Sequence, residues 1–187
     1  MLPPKNLQTE RLRLRRWQQA DLEPFAAINA DPDVMEFFTA TLSHKQSVLL
    51  LEEIESAFEI QHFGLWAVEV VASGEFIGFV GLNRPRWVSD FTPCFEIGWR
   101  LAKSAWGQGY APEGARAVLQ DGFQRFELNE ILSWTAATNA KSVRVMEKIG
   151  MVTDAAENFL HPLVPDWHPL KPHVLYRMTR QRWQQIS

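Results

Sequence analysis

Glu96-Ile97-Gly98-Trp99-Arg100-Leu101 and, shortly after, Trp106-Gly107-Gln108-Gly109-Tyr110-Ala111-Pro112-Glu113 form the stretch that decides how this chain folds. The first block reads as the end of a strand over Cys94–Leu101, and the second as a glycine turn opening a helix over residues 110–126. Pro112 fixes the first helical turn, and Ala111, Ala115, Val118, Leu119, Phe123 and Phe126 make its apolar stripe. Strand, turn and helix in that order leave a row of unpaired backbone N–H groups at the positive end of a helix dipole. Such a place binds a diphosphate without lysine or metal.

Working outward, Glu10–Trp17 alternates, with Leu12 and Leu14 to one side and Arg11, Arg13 and Arg15 to the other, which predicts a half-buried strand with a solvated basic face. Asp21 is the expected N-cap of a short helix reaching Asn29, and Asp31-Pro32 the start of a further helical turn. Ser43 and Gln46 make a capping-box pattern ahead of the stripe Val48, Leu51, Ile54, Phe58. Leu65–Val71 and Phe76–Leu82 read as a hairpin across Ala72-Ser73-Gly74, and residues 83–93 as a loop. Downstream, Ile131–Ala137 is an expected strand, and Asn139–Ile149 a capped helix ended by Gly150. Met151–Asn158 and Val174–Thr179 are expected final strands around a loop rich in Pro and His. The order predicts an α/β (α+β) fold, with a mixed, mostly antiparallel sheet of about six to seven strands and about four helices. Residues 1–187 are expected to form one domain.

Composition narrows the function classes. The net charge of −3 speaks against a nucleic-acid partner, which usually needs a basic face. No apolar run approaches the length of a membrane span, and Met1–Asn6 lacks a leader pattern, so a cytoplasmic protein with no membrane partner is expected. The single cysteine, Cys94, excludes an internal disulfide and has no evident His or cationic partner to activate it. His161, His168 and His173 fit no regular metal-ligand spacing, so no metal is expected. Eight Trp and twelve Phe exceed what a core of this size uses, which hints at an apolar pocket wall.

Three phosphate-binding patterns compete for the glycine turn. A P-loop requires a Lys after the glycines, and none follows. A dinucleotide fingerprint requires a third Gly where Pro112 stands. The third is the coenzyme A loop of the GNAT acetyltransferases, Gln/Arg-x-x-Gly-x-Gly/Ala. Thr9–Arg15, Glu96–Leu101, Trp106–Glu113 and Asn139-Ala140-Lys141-Ser142 through Gly150-Met151 stand in that family's order, and from about residue 8 to about residue 180 the chain resembles its RimJ/RimL-like branch. The family's first loop position falls on Trp106.

The resemblance implies a sheet splayed at its central parallel pair and acetyl-coenzyme A as co-substrate. Backbone groups around Trp99, Arg100 and Leu101 would hold the pantetheine arm, Gly107, Gln108, Gly109, Tyr110 and Ala111 the pyrophosphate, and Asn139 and Ser142 would meet the arm near the sulfur. Acyl transfer to an amine needs a base, a polarised carbonyl and a proton for the departing thiolate. Where many relatives carry a Tyr as thiol donor, this chain has Met146, so Ser142 is the candidate donor and Glu96 the candidate base, with the N–H groups of residues 97–99 on the carbonyl. Asn139 could equally be a plain N-cap, and Glu96 could face solvent or pair with Arg100. The reading is N-acetylation of a primary amine, on a protein N-terminus or a small molecule, by a monomer or homodimer. The competing class is a non-catalytic acyl-coenzyme A binding or sensing module. The His/Pro-rich loop at 159–173, with Phe159, Trp167 and Glu157 at its edges, is expected to shape the acceptor pocket.

Overall fold

A computed structural model describes residues 6–187; residues 1–5, part of the segment read as lacking a leader, lie outside the described residues. The strands are β1 (Asn6–Gln8), β2 (Leu12–Arg15), β3 (Leu65–Val70), β4 (Phe76–Asn83), β5 (Glu96–Leu101), β6 (Glu130–Ala136), β7 (Val152–Thr153), β8 (Phe159–Leu160) and β9 (Pro172–Thr179). They form one sheet in the order β1-β2-β3-β4-β5-β6-β9-β7, with β8 also on β9. The helices are α1 (Leu22–Ala30), α2 (His44–Gln61), α3 (Tyr110–Arg125), α4 (Ala140–Lys148) and α5 (Arg180–Ile186). All strand pairs are antiparallel except β5 with β6, as the mixed α/β expectation requires. No helix among the described residues is long and apolar enough to cross a membrane.

Successive strand residues face opposite sides of a sheet, and β4 shows where the layers lie. Phe79 meets Phe25 of α1, ring centroids 6.1 Å apart, while the next residue, Val80, lies under Gly114 of α3. Helices α1 and α3 therefore cover opposite faces. Further along α3, a side chain at Gly122 would come within 2.8 Å of Ile131 on β6 and 3.3 Å of Leu82 on β4. That close approach presses the helix onto the sheet and brings its N-terminus over the end of β5.

Several local expectations give way. Nine strands among the described residues replace six or seven because β1 and β8 are only three and two residues long, too short for alternation to reveal. The expected strand over 151–158 breaks after Thr153, where Asp154 accepts a hydrogen bond from the Ala156 N–H and starts a helical turn. Asp31-Pro32 does not begin a helix. Asp31 instead closes α1, its N–H donating to the Ala27 and Ile28 carbonyls, and isolated turns follow. Asp21 stands at the N-cap of α1 without capping it, because its carboxylate is taken by Arg15 at 2.7 and 2.9 Å. The basic row is solvated only in part: Arg11 and Arg13 keep 44% and 42% of their side chains exposed, while Arg15 is buried between Asp21 and Glu69, and Arg13 also binds Glu69. Helix α5, capped by Thr179, is an element the sequence pattern does not announce.

Candidate active site

Strands β5 and β6 start together and then part. Their register has one pair, Glu96 with Leu132, where the Leu132 N–H donates to the Phe95 carbonyl. Beyond it the buried Ser133 hydroxyl donates to the Ile97 carbonyl at 2.9 Å, and no further pairing follows. Alternation of the backbone then turns the N–H and C=O of Trp99 into the opening. The Leu101 carbonyl does not join it, because the Trp106 indole donates to that oxygen at 2.9 Å. This gives a physical role to the aromatic residue at the first position of the glycine loop: it seals the end of β5.

A cleft of about 1150 Å³ runs from this gap, bounded by α2, the glycine turn, the start of α4 and the loop before β9. At one end, Gly107 and Gly109 have φ of 77° and 82°, a backbone that side chains rarely adopt, and space around the Gly107 α-carbon is open. The N–H groups of residues 107–111 have no hydrogen-bond partner among the described residues, while Glu113 begins the helical ladder by donating to the Gly109 carbonyl. The turn is held from behind. Arg11 donates to the Gln108 carbonyl at 2.9 Å, lies 4.8 Å from the Tyr110 ring centre, and pairs with Glu113 at 2.6 Å. Glu113 also accepts from the Thr9 hydroxyl and the Arg11 N–H. The sequence blocks around residues 9–15 and 106–113 thus meet in space, a pairing that nothing in either block discloses.

At the start of α4, Asn139 caps the helix by accepting from the Ser142 N–H at 3.1 Å. Its amide nitrogen donates to the Thr135 hydroxyl at 2.9 Å and the Ser142 hydroxyl at 3.1 Å. Asn139 is therefore largely occupied with holding Ser142. Ser142, accepting one bond through its oxygen, keeps its own proton free to donate into the cleft. Met146 is buried in the core, and so is Tyr176, which lies outside the cleft lining.

Glu96 lines the same cleft. Burial pushes its pKa up to about 8, against a smaller opposing effect of the hydrogen bond with Asn83, its partner on β4. It does not pair with Arg100. The Arg100 guanidinium donates to the buried Asn29 side chain at 2.6 Å and lies between Phe38 and Phe79, 4.4 and 5.4 Å from their ring centres. By the alternation that turns Trp99 into the gap, the Arg100 backbone faces β4 instead, so of the residues expected to hold the arm Trp99 is the one whose backbone lines the opening. Burial also pushes the Cys94 thiol up to about 11, with the Glu96 charge acting the same way, so the thiolate a covalent route would need is disfavoured.

The loop at 159–173 divides. His161, Leu163, Val164, Leu170 and His173 line the cleft, whereas Trp167 is exposed and Glu157 is bound to Arg177. Among the described residues no group of three or more His, Cys, Asp or Glu is placed to hold a metal ion.

Comparison with known proteins agrees with this geometry. Residues 11–152 match the model of the acetyltransferase (GNAT) domain. The chain is 34% identical over 149 residues to the protein YkkB of Bacillus subtilis (strain 168), covering 78% of this chain and 84% of that one. It is 29% identical over 192 residues to the FsC-acetyl coenzyme A-N(2)-transacetylase of Aspergillus fumigatus, covering 97% and 79%. The crystal structure of an acetyltransferase from Agrobacterium tumefaciens str. C58 superimposes with a TM-score of 0.76 at 26% identity, covering 95% and 96%.

Proposed function

Because the chain belongs to the GNAT acetyltransferase domain family, a family of acyltransferases, we propose that it moves the acetyl group of acetyl-coenzyme A to a primary amine by direct attack in a ternary complex. We assign it to the RimJ/RimL-like branch on the order of its four sequence blocks, with residues 1–187 acting as one domain. The observation that carries the proposal is a single cleft holding both the unpartnered N–H row of residues 107–111 and the desolvated carboxyl of Glu96.

Acetyl-coenzyme A, when bound, supplies an acyl group already activated as a thioester. The chain does the rest. The backbone N–H groups of Gly107, Gln108, Gly109, Tyr110 and Ala111 hold the pyrophosphate at the helix N-terminus. Between β5 and β6 the Trp99 backbone offers an acceptor and a donor to an amide-bearing arm. Of the N–H groups at 97–99, that of Trp99 faces the gap and is the one placed to polarise a carbonyl. Glu96 accepts the proton of the attacking amine, directly or through water, and Ser142, oriented by Asn139, protonates the departing thiolate.

Thiol release from acetyl-coenzyme A, measured against N-terminal peptides, polyamines, aminoglycosides and simple amines, tests this reading. Release that depends on an amine, with intersecting double-reciprocal lines, is the expected result. Parallel lines would instead demand a covalent acyl-enzyme. Tight cofactor binding with no turnover for any amine would favour the acyl-coenzyme A sensing module.

A further inference from the structure

Opposite the glycine turn, the cleft is walled by rings. Trp87, Phe91, Trp134, Phe159, His161 and His173 form one connected cluster, with neighbouring ring centroids 4.8–6.4 Å apart. Trp87, Trp134, His161 and His173 from this cluster line the cleft. Register places the wall beside the carboxyl. Glu96 pairs with Leu132, Trp134 follows two residues along β6 on the same face, Ala136 pairs with His173, and His173 pairs with Phe159.

Three physical features define what this wall can take. First, the rings touch one another at ordinary aromatic spacing, which leaves no box among them for a cation to enter. They offer a continuous outer surface to stack upon. Second, the histidines add no charge: burial and the neighbouring His173 and Lys171 push His161 down to about 4, and burial lowers His173. Third, the cleft repels polycations. Arg84, Arg86, Arg100, Lys141, Arg144 and Lys148 line it, against Asp33, Glu53 and Glu96, and Asp33 is already bound to Lys103 at 2.5 Å. One basic nitrogen can be matched by Glu96. Beyond Glu96, the remaining charges of a polyamine would meet only Glu53 and the already paired Asp33 among the lining carboxylates, against six lining cations.

We propose that the acceptor is a primary amine carried within a few bonds of an aromatic or other flat apolar group, which stacks on the Trp87–Trp134 wall, backed by Phe159, and directs its nitrogen to Glu96. This rests on the acetyltransferase reading and supplies its substrate class. The chemistry is shared by a free arylalkylamine and by a peptide beginning with an aromatic residue.

The test compares phenylethylamine, a Phe-initiated tripeptide, hexylamine and spermidine in two ways: kcat/KM by thiol release, and calorimetric binding to the protein loaded with coenzyme A. An aromatic acceptor should exceed hexylamine by about tenfold in both, the scale of one well-formed aromatic contact, with spermidine weakest. Trp87→Ala should bring the aromatic and aliphatic amines within about twofold of each other, with cofactor affinity unchanged. His161→Ala, on the loop, is the second variant should Trp87→Ala fail to fold, and should shift the same ratio. Phenylethylamine and the peptide, compared with each other, identify the source. Equal or better use of hexylamine or spermidine overturns the proposal, as does an aromatic preference untouched by both substitutions. Aromatic preference in binding with no turnover for any amine would keep the wall and sink the transferase reading, so the two failures are distinguishable.

Discussion

The two ends of the cleft are built by different means. At the glycine turn the binding groups belong to the backbone: five successive N–H groups with no partner among the described residues, on a turn held by two positive-φ glycines. At the far wall the binding groups are side chains from the loop before β5, from β6, from β8 and from the loop before β9, and each ring rests on another. Backbone recognition needs a local conformation, so it is written in consecutive residues. Side-chain recognition needs only that the topology bring distant positions together, and it leaves no local pattern. The first kind suits a partner that stays the same across a family, the second one that differs from member to member.

Chemistry happens where the two ends meet, and the largest expected effects fall there. Glu96→Gln keeps the shape and removes the proton acceptor, and kcat should fall by about 1000-fold while the affinity for acetyl-coenzyme A holds. Glu96 must be ionised to act, and burial sets its pKa at about 8, so kcat/KM of the wild type should rise with pH through that value. The stability sign runs the other way. Between the ordinary value of 4.5 and about 8 the unfolded chain has lost the proton that the folded one keeps, so stability falls as pH rises across that window. Glu96→Gln should flatten both curves, and a melting series across pH checks the second. If the carboxylate has no part in catalysis, only the melting curve will change. Ser142→Ala comes next, with kcat lower by about 100-fold and Asn139 still capping α4, read from turnover and from unchanged cofactor binding. A loss in affinity rather than in turnover would move Ser142 from proton donor to part of the backbone-type site.

The same contrast explains which features are legible in the amino-acid sequence. Ser43 and Gln46 announce α2 because the capping box is a contact between residues three apart, and its bonds are present at 2.9 and 3.3 Å. Gly107, Gly109 and Pro112 announce the turn for the same reason, as does Asn139 the cap of α4. The Arg15–Asp21–Glu69 cluster is not legible, because alternation places Arg15 on the outer face of β2 and says nothing of what covers it. Strand β8 exists only by pairing with β9, so its sequence carries no strand pattern of its own. The aromatic wall leaves one trace, the excess of Trp and Phe in the composition, which signals a surface without locating it.

Two smaller effects probe how rigid the backbone end must be. Gly109→Ala forces a side chain into a left-handed backbone with φ of 82°, its β-carbon 3.4 Å from the Arg11 guanidinium. The strain of about 1–2 kcal/mol per residue translates into roughly tenfold weaker acetyl-coenzyme A binding if the loop relaxes away from its present form. Calorimetry should find this loss with the aromatic-to-aliphatic acceptor ratio unmoved, since among the described residues no ring contact joins the wall to the turn.

Glu113→Gln should have the smallest effect and separates two reasons for the Arg11 contact. The Arg11 side chain is 44% exposed, and pairs of that kind contribute about 0.2–1 kcal/mol. If Arg11 acts only as a brace on the Gln108 carbonyl and the Tyr110 ring, the glutamine can still accept from the Thr9 hydroxyl and the Arg11 N–H, and KM for acetyl-coenzyme A should rise about threefold or less. If Glu113 instead spares the glycine turn from an unpaired arginine, releasing it places a free cation beside Gly109, 3.4 Å from where a β-carbon there would stand, and anion affinity should rise, more steeply at low salt. A salt series on KM distinguishes the two. We expect the brace, because Arg11 is already engaged by the Gln108 carbonyl at 2.9 Å and the Tyr110 ring as well as by Glu113, so its geometry serves the loop's shape rather than its charge.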